Sequence, residues 1–153
     1  MTEREWDVRE RLAARFGGHV SYERAVSGSG LAWLWEALAE LAGEAGGKAV
    51  PDGKEIARRA RGGDARAREV VELFSGWLGA YAGDLALMVV ARGGIYLSGG
   101  VLAGAAPALD VARFRERFLE KGRFREWMAR IPVHRILAEE VAFAGLAELV
   151  RRS

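Results

Sequence analysis

The stretch from Asp64 to Gly100, DARAREVVELFSGWLGAYAGDLALMVVARGGIYLSGG, decides the fold. Asp64 offers an N-cap. Val70, Phe74, Trp77, Tyr81, Leu85 and Met88 then step by four and three, the period of one helical stripe. A long helix to about Arg92 is therefore expected. Gly76, Gly79 and Gly83 lie at helical spacing within it, and each costs about 1 kcal/mol of helix propensity, so close approach of another backbone should require them. Ile95-Tyr96-Leu97, bounded by Gly93-Gly94 and Gly99-Gly100, reads as a short buried strand between tight turns. The run from Leu73 to Ala91 has the length of a membrane span, but Asp84 near its middle costs about 3 kcal/mol on insertion scales. Its three glycines lower the hydrophobicity further, so it reads as the buried helix of a soluble protein.

Upstream, residues 3–16 read as a charged amphipathic helix with Trp6, Leu12 and Phe16 available to one face, stopped by Gly17-Gly18. Ser21 can cap a short helix, and Ser27-Gly28-Ser29-Gly30 breaks the chain before an apolar helix from Leu31 to Leu41. Residues 43–53 form a Gly-, Pro- and Asp-bearing loop, followed by a basic helix from Lys54 to Arg61. Downstream of Pro107, helices are expected over about 108–119 and 123–130, a strand over Pro132–Leu137 and a closing helix from Val141 to Arg152. The layout is α/β, helix-rich, with too few strands for a self-contained sheet. No internal repeat is present.

Composition narrows the function. The chain has 153 residues, enough for one domain with a real core, and a net charge of only +2. So weak a field does not imply nucleic acid. Seven basic residues between Arg113 and Arg130 interleave with Phe114, Phe118, Phe124 and Trp127, but the aromatics fall at helical spacing and three glutamates share the polar side, which reads as a solvated amphipathic face. The absence of cysteine excludes disulfide scaffolds and thiolate chemistry. Met1 to Arg15 has no apolar core of a signal peptide, so the cytoplasm is the expected compartment, without membrane or nucleic-acid partners. The two histidines, His19 and His134, lie far apart without metal-ligand spacing; His19 is expected to order its loop.

Three segments in order, HVSYERAVSGSGL at 19–31, YAGDLALMVVARGGIYLSGGVL at 81–102 and RFLEKGRFREWMARIPVHRIL at 117–137, resemble the C-terminal part of bacterial ATP-dependent glucokinases of the non-repressor type. These are members of the actin-like ATPase and sugar-kinase superfamily. The resemblance runs from about Glu5 onward. It implies that residues 1–153 are a single domain, the C-terminal portion of a ribonuclease-H-like sugar kinase whose N-terminal half is absent. That half would supply the phosphate loops, a Glu-Gly-Gly-His sugar motif and the aspartate base; no such motif occurs in this sequence, so no catalytic residue is expected here. The chain departs from the family at Glu140-Val141-Ala142, where an Asn-Pro-Gly-like turn is usual.

By the same resemblance Glu23 occupies the position of a sugar-contacting glutamate; from its residue type alone it is a surface glutamate in a helix first turn, favoured by the helix dipole. Gly99 and Gly100, flanked by Ser98 and Val101, occupy the place of an adenosine-binding turn, although an ordinary strand-to-helix turn uses glycine for the same steric reason. The Ser27–Gly30 segment could cradle a phosphate but matches no phosphate-loop fingerprint and reads better as a helix cap. The implied ligands are D-glucose, ATP and Mg2+, the metal held mainly by the absent half. The alternative is a truncated, non-catalytic binding or dimerisation module, and in either case self-association is expected from the core surface left uncovered.

Overall fold

The computed structural model describes residues 1–44, 49–102, 108–137 and 141–152. Within them the chain runs α1 (Glu3–Arg15), α2 (Tyr22–Ala25), α3 (Gly28–Leu41), α4 (Gly53–Arg61), α5 (Ala65–Met88), β1 (Ile95–Leu97), α6 (Val111–Leu119), a 3-10 turn (Gly122–Phe124), α7 (Arg125–Met128), β2 (Val133–Arg135) and α8 (Val141–Arg152). Pro107, Glu140 and the middle of the 43–53 loop lie outside the described residues.

Side-chain caps start α1 to α6. Asp64 accepts from the Ala67 amide at 2.9 Å and opens α5. At α1, Thr2 and Glu5 form a reciprocal capping box, Thr2 Oγ1 accepting from Glu5 N at 3.1 Å and Glu5 Oε2 from Thr2 N at 2.7 Å. The buried face of α1 is Glu5, Val8, Leu12 and Ala13, whereas Trp6 is 52 % exposed, so Trp6 does not share the inward face with Leu12. Glu5 belongs inside, at 1 % exposure, because Arg113 Nη2 on α6 donates to its Oε1 at 3.0 Å. Arg117 Nη2 stands 3.9 Å from the other oxygen. A buried carboxylate is tolerated only with such partners.

The central spine is α5. Its glycines form a flat strip on which α6 lies: a methyl group at Gly79 would stand 2.2 Å from the Phe114 carbonyl oxygen, and one at Gly83 would stand 2.8 Å from that of Phe118. At Gly76 the neighbour is the Arg113 side chain, 3.2 Å away. Ser75 ties the start of α6 to this strip, donating to the Val71 carbonyl at 2.6 Å and accepting from the Asp110 amide at 2.8 Å. Lys121 closes the other end, with Nζ 3.0 Å from the Ala80 carbonyl and 2.7 Å from Asp84 Oδ1. Asp84 is thus a surface residue in an ion pair, and no helix among the described residues is long and apolar enough to cross a membrane.

Two sequence expectations need correction here. The α5 helix ends at Met88, not near Arg92, because Val90 turns into the left-handed region at φ 51° and the Ala91 amide closes back on the Ala86 carbonyl at 3.0 Å. Consequently Met88, the last residue of the expected stripe, is 76 % exposed. The β1 strand is also not buried throughout. It pairs in parallel with β2, Ile95 opposite Val133 and Leu97 opposite Arg135, with Leu97 facing the core. Tyr96 is 63 % exposed and stacks on His134 at 5.0 Å between ring centroids.

The obstacle at Gly79 is backbone and cannot rotate away. Overpacking of this kind costs about 1–3 kcal/mol, so Gly79→Ala should lower the unfolding free energy measured in urea at high dilution by about that amount. Gly93→Ala, where a methyl group meets nothing within 4 Å, should leave it unchanged. Equal effects of the two substitutions would contradict the close-approach account.

Candidate functional site

The four-residue helix α2 carries Glu23. Ser21 caps it, accepting from the Arg24 amide at 3.3 Å. Arg24 holds its outer side: Nη1 donates to the His19 carbonyl at 3.1 Å, and the guanidinium lies 4.2 Å over the Phe16 ring, which meets Trp33 edge-on at 4.8 Å. His19 therefore orders its loop through its backbone carbonyl, and its side chain is exposed. On the inner side, Tyr22 stacks on Tyr81 of α5 with centroids 4.3 Å apart. Burial, with Asp84 adding to it, raises the Tyr22 phenol above its usual pKa. Between these anchors Glu23 is exposed, in the first turn of α2, and its carboxylate has no ion-pair partner among the described residues.

The second candidate element follows β1. Ser98, Gly99 and Gly100 are exposed, and the Leu102 amide donates to the Gly99 carbonyl at 2.9 Å to close the turn. Gly99 has φ 133°, a conformation that side chains with a Cβ rarely adopt. Gly100 is not in that region, and a methyl group there meets no described residue within 4 Å, so among the described residues neither backbone conformation nor packing demands glycine at this position. Arg135 of β2 braces the turn from below, Nη1 to the Leu102 carbonyl at 2.9 Å.

The start of α3 brings the two elements together. Ser27 Oγ accepts from the Gly30 amide at 3.0 Å, so the Ser27–Gly30 segment is a helix cap. At Gly28, a methyl group would lie 3.5 Å from Val101 Cγ2, ordinary van der Waals contact. The residues leading out of α2 thus abut the residues leading out of the glycine turn. Sequence reasoning missed Tyr22, Tyr81 and this Gly28–Val101 contact, because nothing in linear spacing pairs residues so far apart.

Two other acidic residues are engaged elsewhere, Asp64 as the α5 cap and Asp84 with Lys121. Arg113 and Arg117 of the basic segment pair with Glu5, Glu116 and Glu120. Among the described residues no group of three or more His, Cys, Asp or Glu could hold a metal ion. Among the described residues the turn after β1 carries no Cβ at two consecutive positions, and no cluster there offers a Mg2+ ligand set.

Comparison with known proteins gives one answer. The family model for glucokinase matches residues 1–153. The glucokinase of Chromobacterium violaceum is 44 % identical over 147 residues, 95 % of this chain and 41 % of that protein. The glucokinase of Aromatoleum aromaticum is 45 % identical over 150 residues, 95 % of this chain and 44 % of that protein. The crystal structure of a glucokinase from an Antarctic psychrotroph superposes with a TM-score of 0.81 at 30 % identity, covering 100 % of this chain and 47 % of that one. The chain thus spans less than half the length of these relatives, and the match falls on their C-terminal part. With its whole length matched by the family model and more than two fifths of its aligned residues identical to those of curated glucokinases, the chain belongs to the glucokinase family.

Proposed function

We propose that the chain acts as the C-terminal part of an ATP-dependent glucokinase with a ribonuclease-H-like fold, residues 1–153 forming a single domain within the larger domain of that enzyme. The reaction is transfer of the γ-phosphoryl of ATP to the 6-hydroxyl of D-glucose in the cytoplasm. Glu23 accepts charge-assisted hydrogen bonds from sugar hydroxyls and holds the sugar in register. Ser98, Gly99 and Gly100 let the adenosine approach the backbone. The observation that carries the reading is the exposed Glu23 carboxylate, without an ion-pair partner among the described residues, on a helix held from both sides and near a glycine turn whose second glycine meets no described residue.

Phosphoryl transfer further needs phosphate-cradling groups, Mg2+ at the β and γ oxygens and a base near the attacking hydroxyl. This sequence contains no Asp-x-Gly-Gly-Thr or Glu-Gly-Gly-His motif. Those roles are assigned to the part that relatives carry ahead of the matched region. A second reading, a non-catalytic binding or dimerisation module, is favoured by one observation: α8 leaves Phe143, Leu146 and Leu149 exposed on one side.

In the two-part kinase, with the chain joined to that preceding part, Glu23→Gln keeps the shape but removes the charge. Losing one charged partner costs about 2–3 kcal/mol, so glucose kcat/KM should fall by one to two orders of magnitude while ATP affinity holds. Unchanged glucose kinetics would remove Glu23 from the site. Gly100→Val should fold with normal thermal stability, since the position is open, yet weaken ATP binding while sparing glucose; normal ATP binding would make the turn purely structural. The 153-residue chain alone should form no glucose 6-phosphate in a coupled assay and should self-associate in analytical ultracentrifugation. Turnover by a purified monomer would overturn the assignment of the base to the other part.

A further inference from the structure

We infer that Gly30 and Tyr81 are positioning residues that set the location of Glu23, an inference that rests on the sugar-binding reading of Glu23 above. A helix of four residues has no stability of its own, so the place of α2 must come from its tertiary contacts. On the α3 side the contact is backbone against backbone. A methyl group at Gly30 would stand 2.5 Å from the Ala25 carbonyl oxygen and 2.8 Å from that of Arg24, closer than such atoms approach. Gly30 is buried and does not have a left-handed φ, so proximity to α2, and not backbone conformation, is what demands glycine there. The two carbonyls belong to the residues immediately after Glu23, and they move only if α2 moves.

On the α5 side the stacked Tyr22–Tyr81 pair is the counterpart anchor. Beside α2 lies an open pocket of about 290 Å³, lined by Ser21, Tyr22 and Ala25 together with Trp77, Ala80 and Arg117. That space beside α2 leaves the helix room to shift when a side chain is added at position 30. Restoring ordinary contact requires a shift of about 1 Å, and a misplacement of that size costs up to roughly a hundredfold where a group must meet its substrate in register. Loss of the Tyr81 ring releases the same helix from the opposite side.

The test is a kinetic cycle in the two-part kinase with Gly30→Ala, Tyr81→Leu, Tyr81→Phe and Glu23→Gln. Gly30→Ala should raise the glucose KM about tenfold or more with the ATP KM unchanged. Tyr81→Leu should act in the same direction, and Tyr81→Phe, which keeps the ring, should restore the wild-type KM. Because both positions act through Glu23, neither should add a further loss for glucose in the Glu23→Gln background. If Gly30→Ala does not fold, the Leu and Phe variants of Tyr81 decide alone. The inference is overturned if the folded variants spare glucose, if they impair glucose and ATP alike, or if their effects add fully to that of Glu23→Gln. A Glu23→Gln enzyme with normal glucose kinetics instead brings down the sugar-site reading itself, and this inference with it.

Discussion

The rest of the structure depends on how closely α6 can lie against α5. Glycine at 79 and 83 lets the Phe114 and Phe118 carbonyls reach the α5 backbone, and no other residue type allows that approach. With α6 at that depth, Arg113 and Arg117 reach across to the buried Glu5 carboxylate, and Lys121 meets both the Ala80 carbonyl and Asp84. One backbone contact therefore fixes α1, α5 and α6 together. The helix propensity sacrificed at three glycines is offset by the burial of Phe114 and Phe118 and by these charge-assisted bonds.

The candidate site is built on that frame, away from its centre. The α5 helix offers Tyr81 to Tyr22, and the first residue of α3 meets the residue that follows the glycine turn. Tyr22 gains its raised pKa from the same packing that immobilises its helix. Among the described residues Glu23 has no ion-pair partner, and its neighbours are engaged elsewhere: Arg24 with the His19 carbonyl and the Phe16 ring, Tyr22 with Tyr81. A carboxylate so placed suits the sugar-binding role proposed for it.

Features governed by local chemistry were legible in the sequence. Ser21, Ser27 and Asp64 cap the helices that follow them, and the close backbone approach expected of the α5 glycines occurs at Gly79 and Gly83, whereas Gly76 faces the Arg113 side chain. What remained hidden was set by partners distant along the chain. Glu5 reads as polar surface until Arg113 folds over it, which is why Trp6 looked like the inward residue of α1. Val90 ends α5 in a left-handed conformation that a β-branched residue rarely adopts, so the visible glycine pair at 93 and 94 misplaced the helix end. Tyr96 reads as core by its apolarity but faces out to stack on His134. The candidate site was legible only as separate segments resembling a family; that Gly28 meets Val101, and so joins them, required the fold.

The central claim is that α2 and the glycine turn are the sugar and nucleotide walls of one cleft. Hydrogen–deuterium exchange on the two-part kinase tests this most directly, because it reads each segment separately without relying on a substitution. Glucose should slow exchange at the backbone amides of α2 and the first turn of α3, and a non-hydrolysable ATP analogue should slow it over residues 98–102. Protection by both ligands that leaves these two segments unchanged, in an enzyme active with glucose, would contradict the claim.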